Sequence, residues 1–171
     1  MRRVAVTGMG GITPLGDDWA TIEQVMRARQ SAIRRMPEWD TFPDLNTRLA
    51  APCTHFGIPA HYPRRMVRSM GRVALLSIRA TELALQQAGL LDDPILHGGR
   101  TGIAYGSSGG SVEPVRHFGR MLDSGSMQGI TSTSYIQMMG HTCAVNLGLF
   151  FGIKGRVIPT SSACTSGSQG I

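Results

Sequence analysis

A chain of 171 residues is long enough for one domain with a real core, and 42% apolar against 16% charged residues excludes a disordered tail. A formal charge of +6 favours acidic partners, yet Lys154 is the only lysine and no basic block with interleaved aromatics occurs. Nucleic acid and membrane are therefore not expected as partners, and an acidic protein is the better fit. Cys53, Cys143 and Cys164 are odd in number and widely spaced, so they suggest neither a disulfide framework nor a metal-ligand set. Met1-Arg2-Arg3 leads directly into a strand-like stretch, and no apolar run approaches the ~18 residues of a membrane span. The expectation is a soluble, cytoplasmic-type protein.

Arg3-Val4-Ala5-Val6-Thr7 reads as a buried strand ahead of Gly8-Met9-Gly10-Gly11. A dinucleotide fingerprint fails there, because its third glycine would fall at Thr13 and Pro14 follows where a helix should run. Asp17 or Asp18 can cap a helix through Trp19, Ile22, Val25 and Met26. Residues 30–63 carry Pro37, Pro43, Pro52, Pro59 and Pro63 and read as an irregular excursion with a short strand over 47–52. His55 and His61, within it, read as surface or structural histidines.

From Arg64 the pattern predicts one helix to Ala88, with Val73, Leu76, Ala80, Leu83 and Ala84 as its apolar stripe and Gly89 ending it. By themselves Arg64, Arg65, Arg68 and Arg72 read as a solvated helix face. A second core strand is expected over 100–106, followed by Ser107-Ser108-Gly109-Gly110-Ser111. That loop suits a phosphate cradle or an ordinary turn, and composition does not choose between them. A helix over 113–123 and a methionine-rich apolar helix over 135–151 follow; the second reads as core. His117 and His141 lie near no catalytic motif and receive no role.

The chain then reaches Val157-Ile158-Pro159-Thr160-Ser161-Ser162-Ala163-Cys164-Thr165-Ser166-Gly167. An apolar, β-favouring start passes into small hydroxyl residues around one cysteine, which is the composition of a sharp strand-to-helix turn. A cysteine in the first turn of a helix meets orphan N–H groups and the positive end of the dipole, and both favour thiolate. The plainer reading is a buried small hydrophobe without chemistry.

The string Ser162-Ala163-Cys164-Thr165-Ser166-Gly167 closely resembles the nucleophile motif of the β-ketoacyl-[acyl-carrier-protein] synthases. The opening strand and glycine loop, the 100–111 strand and loop, and the arginines after Pro63 resemble the same family. The resemblance implies a thiolase-like α/β fold, layered α-β-α-β-α, with residues 1–171 as most of its N-terminal half, ending just after the nucleophile. It implies that Cys164 is the nucleophile and a backbone oxyanion donor. Gly109 would stand where some members carry a bulky gate, and Met138 would line the acyl pocket. Arg65 and Arg68 would dock an acidic acyl carrier protein, although Ser69 stands where a further basic residue can occur. A homodimer, or a heterodimer with a related subunit, is implied, and no metal or redox cofactor. The reaction would be condensation of an acyl group on Cys164 with malonyl-carrier protein.

In that family decarboxylation relies on two histidines and a lysine downstream of the nucleophile. None of His55, His61, His97, His117 or His141 sits in a matching motif, so the 171 residues alone are expected to be inactive. The competing expectations are a non-catalytic, chain-length-factor-like partner subunit and a thiolase-type acyl-coenzyme A enzyme.

Overall fold

Asp18 decides where the chain first becomes helical. Its Oδ1 accepts the Thr21 N–H at 2.8 Å and caps α1 (Trp19–Arg27), as a short carboxylate at this position should. The computed structural model describes residues 3–171. Ile22 and Val25 are half-buried, while Trp19 and Met26 remain exposed, so only part of the expected stripe is covered.

The stretch 3–7 corrects the sequence reading, because it is neither strand nor buried. A strand needs a neighbour to complete its ladder, and among the described residues none pairs with it. The segment runs instead into close contact with a helix. A Cβ on Gly8 would stand 2.2 Å from Ala84 O, and one on Gly10 2.2 Å from Ala80 O, which explains glycine at both positions.

The proline-rich excursion folds into a small antiparallel pair, β1 (Arg34–Arg35) and β2 (Leu49–Ala50), with Arg34 opposite Ala50 and Arg35 opposite Leu49. Asp40, in the 3-10 turn between them, draws Arg35 to 2.7 Å and Arg48 to 3.1 Å. The short strand expected over 47–52 is thus found, while its partner was not foreseen.

The single helix expected from Arg64 is two helices, α2 (Arg64–Val67) and α3 (Arg72–Gln87). Gly71 begins the second, and Ser111 Oγ accepts the Val73 N–H at 3.1 Å, capping it from another part of the chain. The expected stripe is also rotated. The buried positions of α3 are Ala74, Leu75, Ile78 and Glu82, whereas Val73, Leu76, Ala80, Leu83 and Ala84 are half-buried. Gly89, at φ +68°, ends the helix as expected.

The parallel pair β3 (Ile103–Gly106) and β4 (Val157–Thr160) runs in register from Ile103 with Val157 to Gly106 with Thr160. Between them lie α4 (Glu113–Ser124), α5 (Ser134–Met138) and α6 (Thr142–Phe151). The continuous helix expected over 135–151 is therefore interrupted at 139–141, where Gly140 stands 3.1 Å (from an added Cβ) from Ser107 O. The α6 helix packs on α3 and on the strand pair. Ile78, Leu75, Cys143, Leu147 and Phe151 meet there with Tyr62, Val67 and Met70 to form the core. Burial pushes the Cys143 thiol up, as befits a core cysteine without chemistry.

Candidate active site at the strand-to-helix elbow

Strand β4 ends at Thr160 and the chain turns within three residues into a 3-10 turn (Ala163–Thr165), then α7 (Ser166–Gln169). Cys164 lies on the 3-10 turn, one step before the α-helix rather than inside its first turn, and it is exposed. Ala163, immediately before it, takes φ +49°, a left-handed conformation that a residue with a Cβ adopts at about 1–3 kcal/mol. The surroundings that hold this conformation are hydroxyl groups.

Ser166, 2% exposed, is their centre. Its Oγ accepts the Ser162 N–H at 2.8 Å and donates to Ala163 O at 2.7 Å. Thr160 donates to Ser166 O at 3.0 Å, Thr165 donates to Ser162 O at 2.7 Å, and Ser162 donates to Gln169 Oε1 at 2.7 Å. The run of small hydroxyl residues in the sequence is thus the scaffold of the turn. The first ladder bond, Thr165 N–H to Ser162 O at 3.1 Å, leaves the Cys164 N–H ahead of the helix's own hydrogen bonds.

The loop after β3 closes against this elbow. A Cβ on Gly106 would come within 1.8 Å of Ser166 O, so only glycine allows the approach. Ser108 donates to Ala163 O at 2.9 Å. Gly110 N–H donates to Met138 O at 3.0 Å and Ser111 N–H to Gln137 O at 2.8 Å, so the residue after Gly109 is tied to Met138. Gly109 is exposed, and a Cβ there would meet nothing within 4 Å. Beside the elbow, Tyr105, Ser107, Ser108, Gly140, His141 and Ser161 contribute to the wall of a cavity of about 170 Å³. Sequence reasoning gave His141 no place. The signal was Gly140, a helix breaker inside an otherwise apolar helical pattern.

Arg65 and Arg68 lie on α2 and just after it, exposed, and share neither a hydrogen bond nor a cavity wall with the elbow. The connection is indirect: Gln137 Nε2 donates to Ser69 O at 2.9 Å, and Ser111 reaches Val73. Arg72 is used differently, with its guanidinium bonded to Cys53 O and lying over the Phe56 ring at 5.6 Å. His61 is held by Glu82, His97 by Gly152 O at 3.0 Å and His117 by Glu113. Among the described residues no group of three His, Cys, Asp or Glu is placed to hold a metal, and no helix is long and apolar enough to cross a membrane.

A parallel strand pair, with the cysteine-bearing elbow on one strand and α6 packed between it and α3, belongs to a thiolase-like α/β fold. The fold is matched by a crystal structure of a beta-ketoacyl synthase from Burkholderia phymatum, at TM-score 0.92 and 58% identity over 99% of this chain and 41% of that one. A type II polyketide ketosynthase, solved in complex with its acyl-carrier protein, shares the fold at TM-score 0.78 and 21% identity, over 99% of this chain and 44% of that one. The family model "Beta-ketoacyl synthase, N-terminal domain" matches residues 1–171. Nodulation protein E of Rhizobium leguminosarum bv. trifolii is 32% identical over 99% of this chain and 42% of its own length. 3-Oxoacyl-[acyl-carrier-protein] synthase 2 of Vibrio cholerae is 28% identical over 99% of this chain and 41% of its own. The chain belongs to the β-ketoacyl synthase family and spans about two fifths of the length of these relatives.

Proposed function

We propose that the protein carrying this sequence is a β-ketoacyl-[acyl-carrier-protein] synthase and that residues 1–171 are its N-terminal, nucleophile-bearing domain. One observation carries the reading: an exposed thiol, Cys164, on a strained elbow at the end of a parallel strand. The Cys164 thiolate attacks the carbonyl carbon of an acyl-carrier thioester, and the carbonyl π pair moves onto oxygen. The Cys164 N–H donates to that oxyanion. Collapse breaks the carrier's C–S bond, leaves the acyl group on Cys164, and the departing thiolate takes up a proton. Malonyl-carrier protein then loses carbon dioxide, and its carbanion attacks the acyl-Cys164 thioester to give the β-ketoacyl product and the free thiol.

Gly109 and Met138, linked through the Gly110 N–H bond to Met138 O, form the entrance to the acyl pocket in this reading. Arg65 and Arg68, exposed on the α2 segment, dock the acidic carrier. Exposed Tyr135, Ile136, Val145 and Leu149 give α5 and α6 an apolar face suited to pairing with a second, related chain. A free thiol nucleophile persists where the medium is reducing, which supports a cytoplasmic site of action.

A non-catalytic partner subunit would have no use for an exposed thiol on a strained turn, so the condensing reading stands ahead of it. The test is conversion of acyl- and malonyl-carrier protein to a β-ketoacyl-carrier product by the intact protein. Loss of that product in Cys164→Ala supports the reading, and retention contradicts it. Decarboxylation needs its own donors for the developing oxyanion, and the hydroxyls of Thr160, Ser162, Thr165 and Ser166 are engaged in holding the turn. The 171 residues assayed alone are therefore expected to form no product.

A further inference from the structure

We propose that Ser108 is a positioning residue that aims the Cys164 N–H at the reacting carbonyl by holding the Ala163–Cys164 peptide plane. The inference rests on Cys164 being the acyl-bearing nucleophile. Ala163 O and the Cys164 N–H belong to one peptide unit. A peptide unit is planar, and this one, like every other among the described residues, is not cis, so its C=O and N–H point in opposite directions. Whatever fixes the oxygen therefore fixes the N–H.

Three donors converge on Ala163 O. The Ser166 hydroxyl reaches it at 2.7 Å and the Ser166 backbone N–H closes the turn onto it. The third, the Ser108 hydroxyl at 2.9 Å, comes from a loop 55 residues earlier in the chain. The two Ser166 donors are parts of the elbow and move with it. Ser108 alone ties the plane to β3 and its loop, on which Gly109 also stands. The Ser108 side chain is exposed and lies outside the core, its hydroxyl also standing 3.4 Å from Ser166 Oγ. An oxyanion donor acts only when it already points at the place where charge develops. A peptide plane free to rock about the left-handed Ala163 would lose that alignment while leaving the thiol untouched.

The experiment compares two reactions of the same thiol in the intact protein. Transfer from an acyl thioester passes through a tetrahedral oxyanion. Alkylation by iodoacetamide displaces iodide from a saturated carbon and forms none. Ser108→Ala is expected to slow acylation of Cys164 about tenfold, less than outright removal of such a donor, while alkylation stays within about twofold of the parent. Ser108→Thr, which keeps the hydroxyl, restores acylation. Equal loss in both reactions would mean a disturbed thiol or fold and would overturn the proposal, as would unchanged acylation in Ser108→Ala. Alkylation without any acylation in the parent would overturn the acyl-carrier reading itself, and that failure is visible before any substitution is made.

Discussion

The Tyr62 phenol donates to Glu82 Oε2 at 2.7 Å, and this bond anchors the segment that leads into the arginine-bearing α2 helix onto α3. Arg79 reaches the same oxygen at 2.6 Å, and His61 Nε2 lies 2.6 Å from Oε1. Glu82 is 4% exposed, and the Tyr62 ring packs edge-on to Phe150. A buried carboxylate surrounded by three donors is stable only while all of them remain. Glu82→Gln and Tyr62→Phe are each expected to lower stability by about 2 kcal/mol, read as a lower denaturant midpoint. An unchanged midpoint in both would remove the knot's structural role.

The same knot sets a pH window. Burial raises the Glu82 pKa, but hydrogen bonds from Tyr62, Arg79 and His61 outweigh it and hold the carboxyl below its ordinary value. The unfolded carboxyl titrates near ~4.3, so its contribution is full above that pH and is lost as pH falls through the lower folded value. Burial, then the Glu82 carboxylate, push the Tyr62 phenol well above its ordinary value. That contribution is full below ~10 and is lost as pH rises toward the folded value. Unfolding midpoints should form a plateau between about pH 5 and pH 8, and Tyr62→Phe should lessen the alkaline decline, to which the buried Cys143 thiol and Tyr105 phenol, both pushed up by burial, also contribute.

Much of the site was legible in the sequence because its signals are local. Asp18 as a cap, Gly89 as a stop and the hydroxyl-rich turn around Cys164 act through their own neighbours. Burial depends on what lies across the molecule, and there the pattern misled. Val4 and Val6 have strand-forming side chains but no partner strand among the described residues, and both stand exposed. In α3 the apolar residues nearly encircle the helix, so periodicity could not choose the core face, and the buried Glu82 carried no apolar signal. The break at Gly71 depends on Ser111, 40 positions away, and the bond from Ser108 to Ala163 crosses 55.

Gly109 should act on acyl choice without affecting the fold. A Cβ there meets nothing within 4 Å, whereas a Cβ on Gly110 would lie 2.3 Å from Gln137 O. Gly109→Phe should keep the parent melting temperature and lose activity on long acyl donors first. Gly110→Ala should lose stability by about 1–3 kcal/mol. Melting curves and a chain-length series of acyl donors distinguish these outcomes; an unaltered acyl preference in Gly109→Phe would remove the gating role.

Neither Arg65 nor Arg68 makes a salt bridge among the described residues, so both guanidinium groups are free for an acidic partner. Arg65→Glu and Arg68→Glu should each raise the KM for acyl-carrier protein about tenfold at low salt, an effect that shrinks as ionic strength screens it. The kcat on a carrier-free pantetheine thioester should not change. A KM indifferent to both substitutions would place the docking surface elsewhere.

The central claim is that Cys164 carries the acyl group. Intact-protein mass spectrometry after incubation with an acyl-carrier thioester tests it most directly. One acyl increment, mapped to the peptide containing Cys164 and absent from Cys164→Ala, is the expected result. An increment that survives Cys164→Ala, or that maps to Cys53 or Cys143, would contradict it.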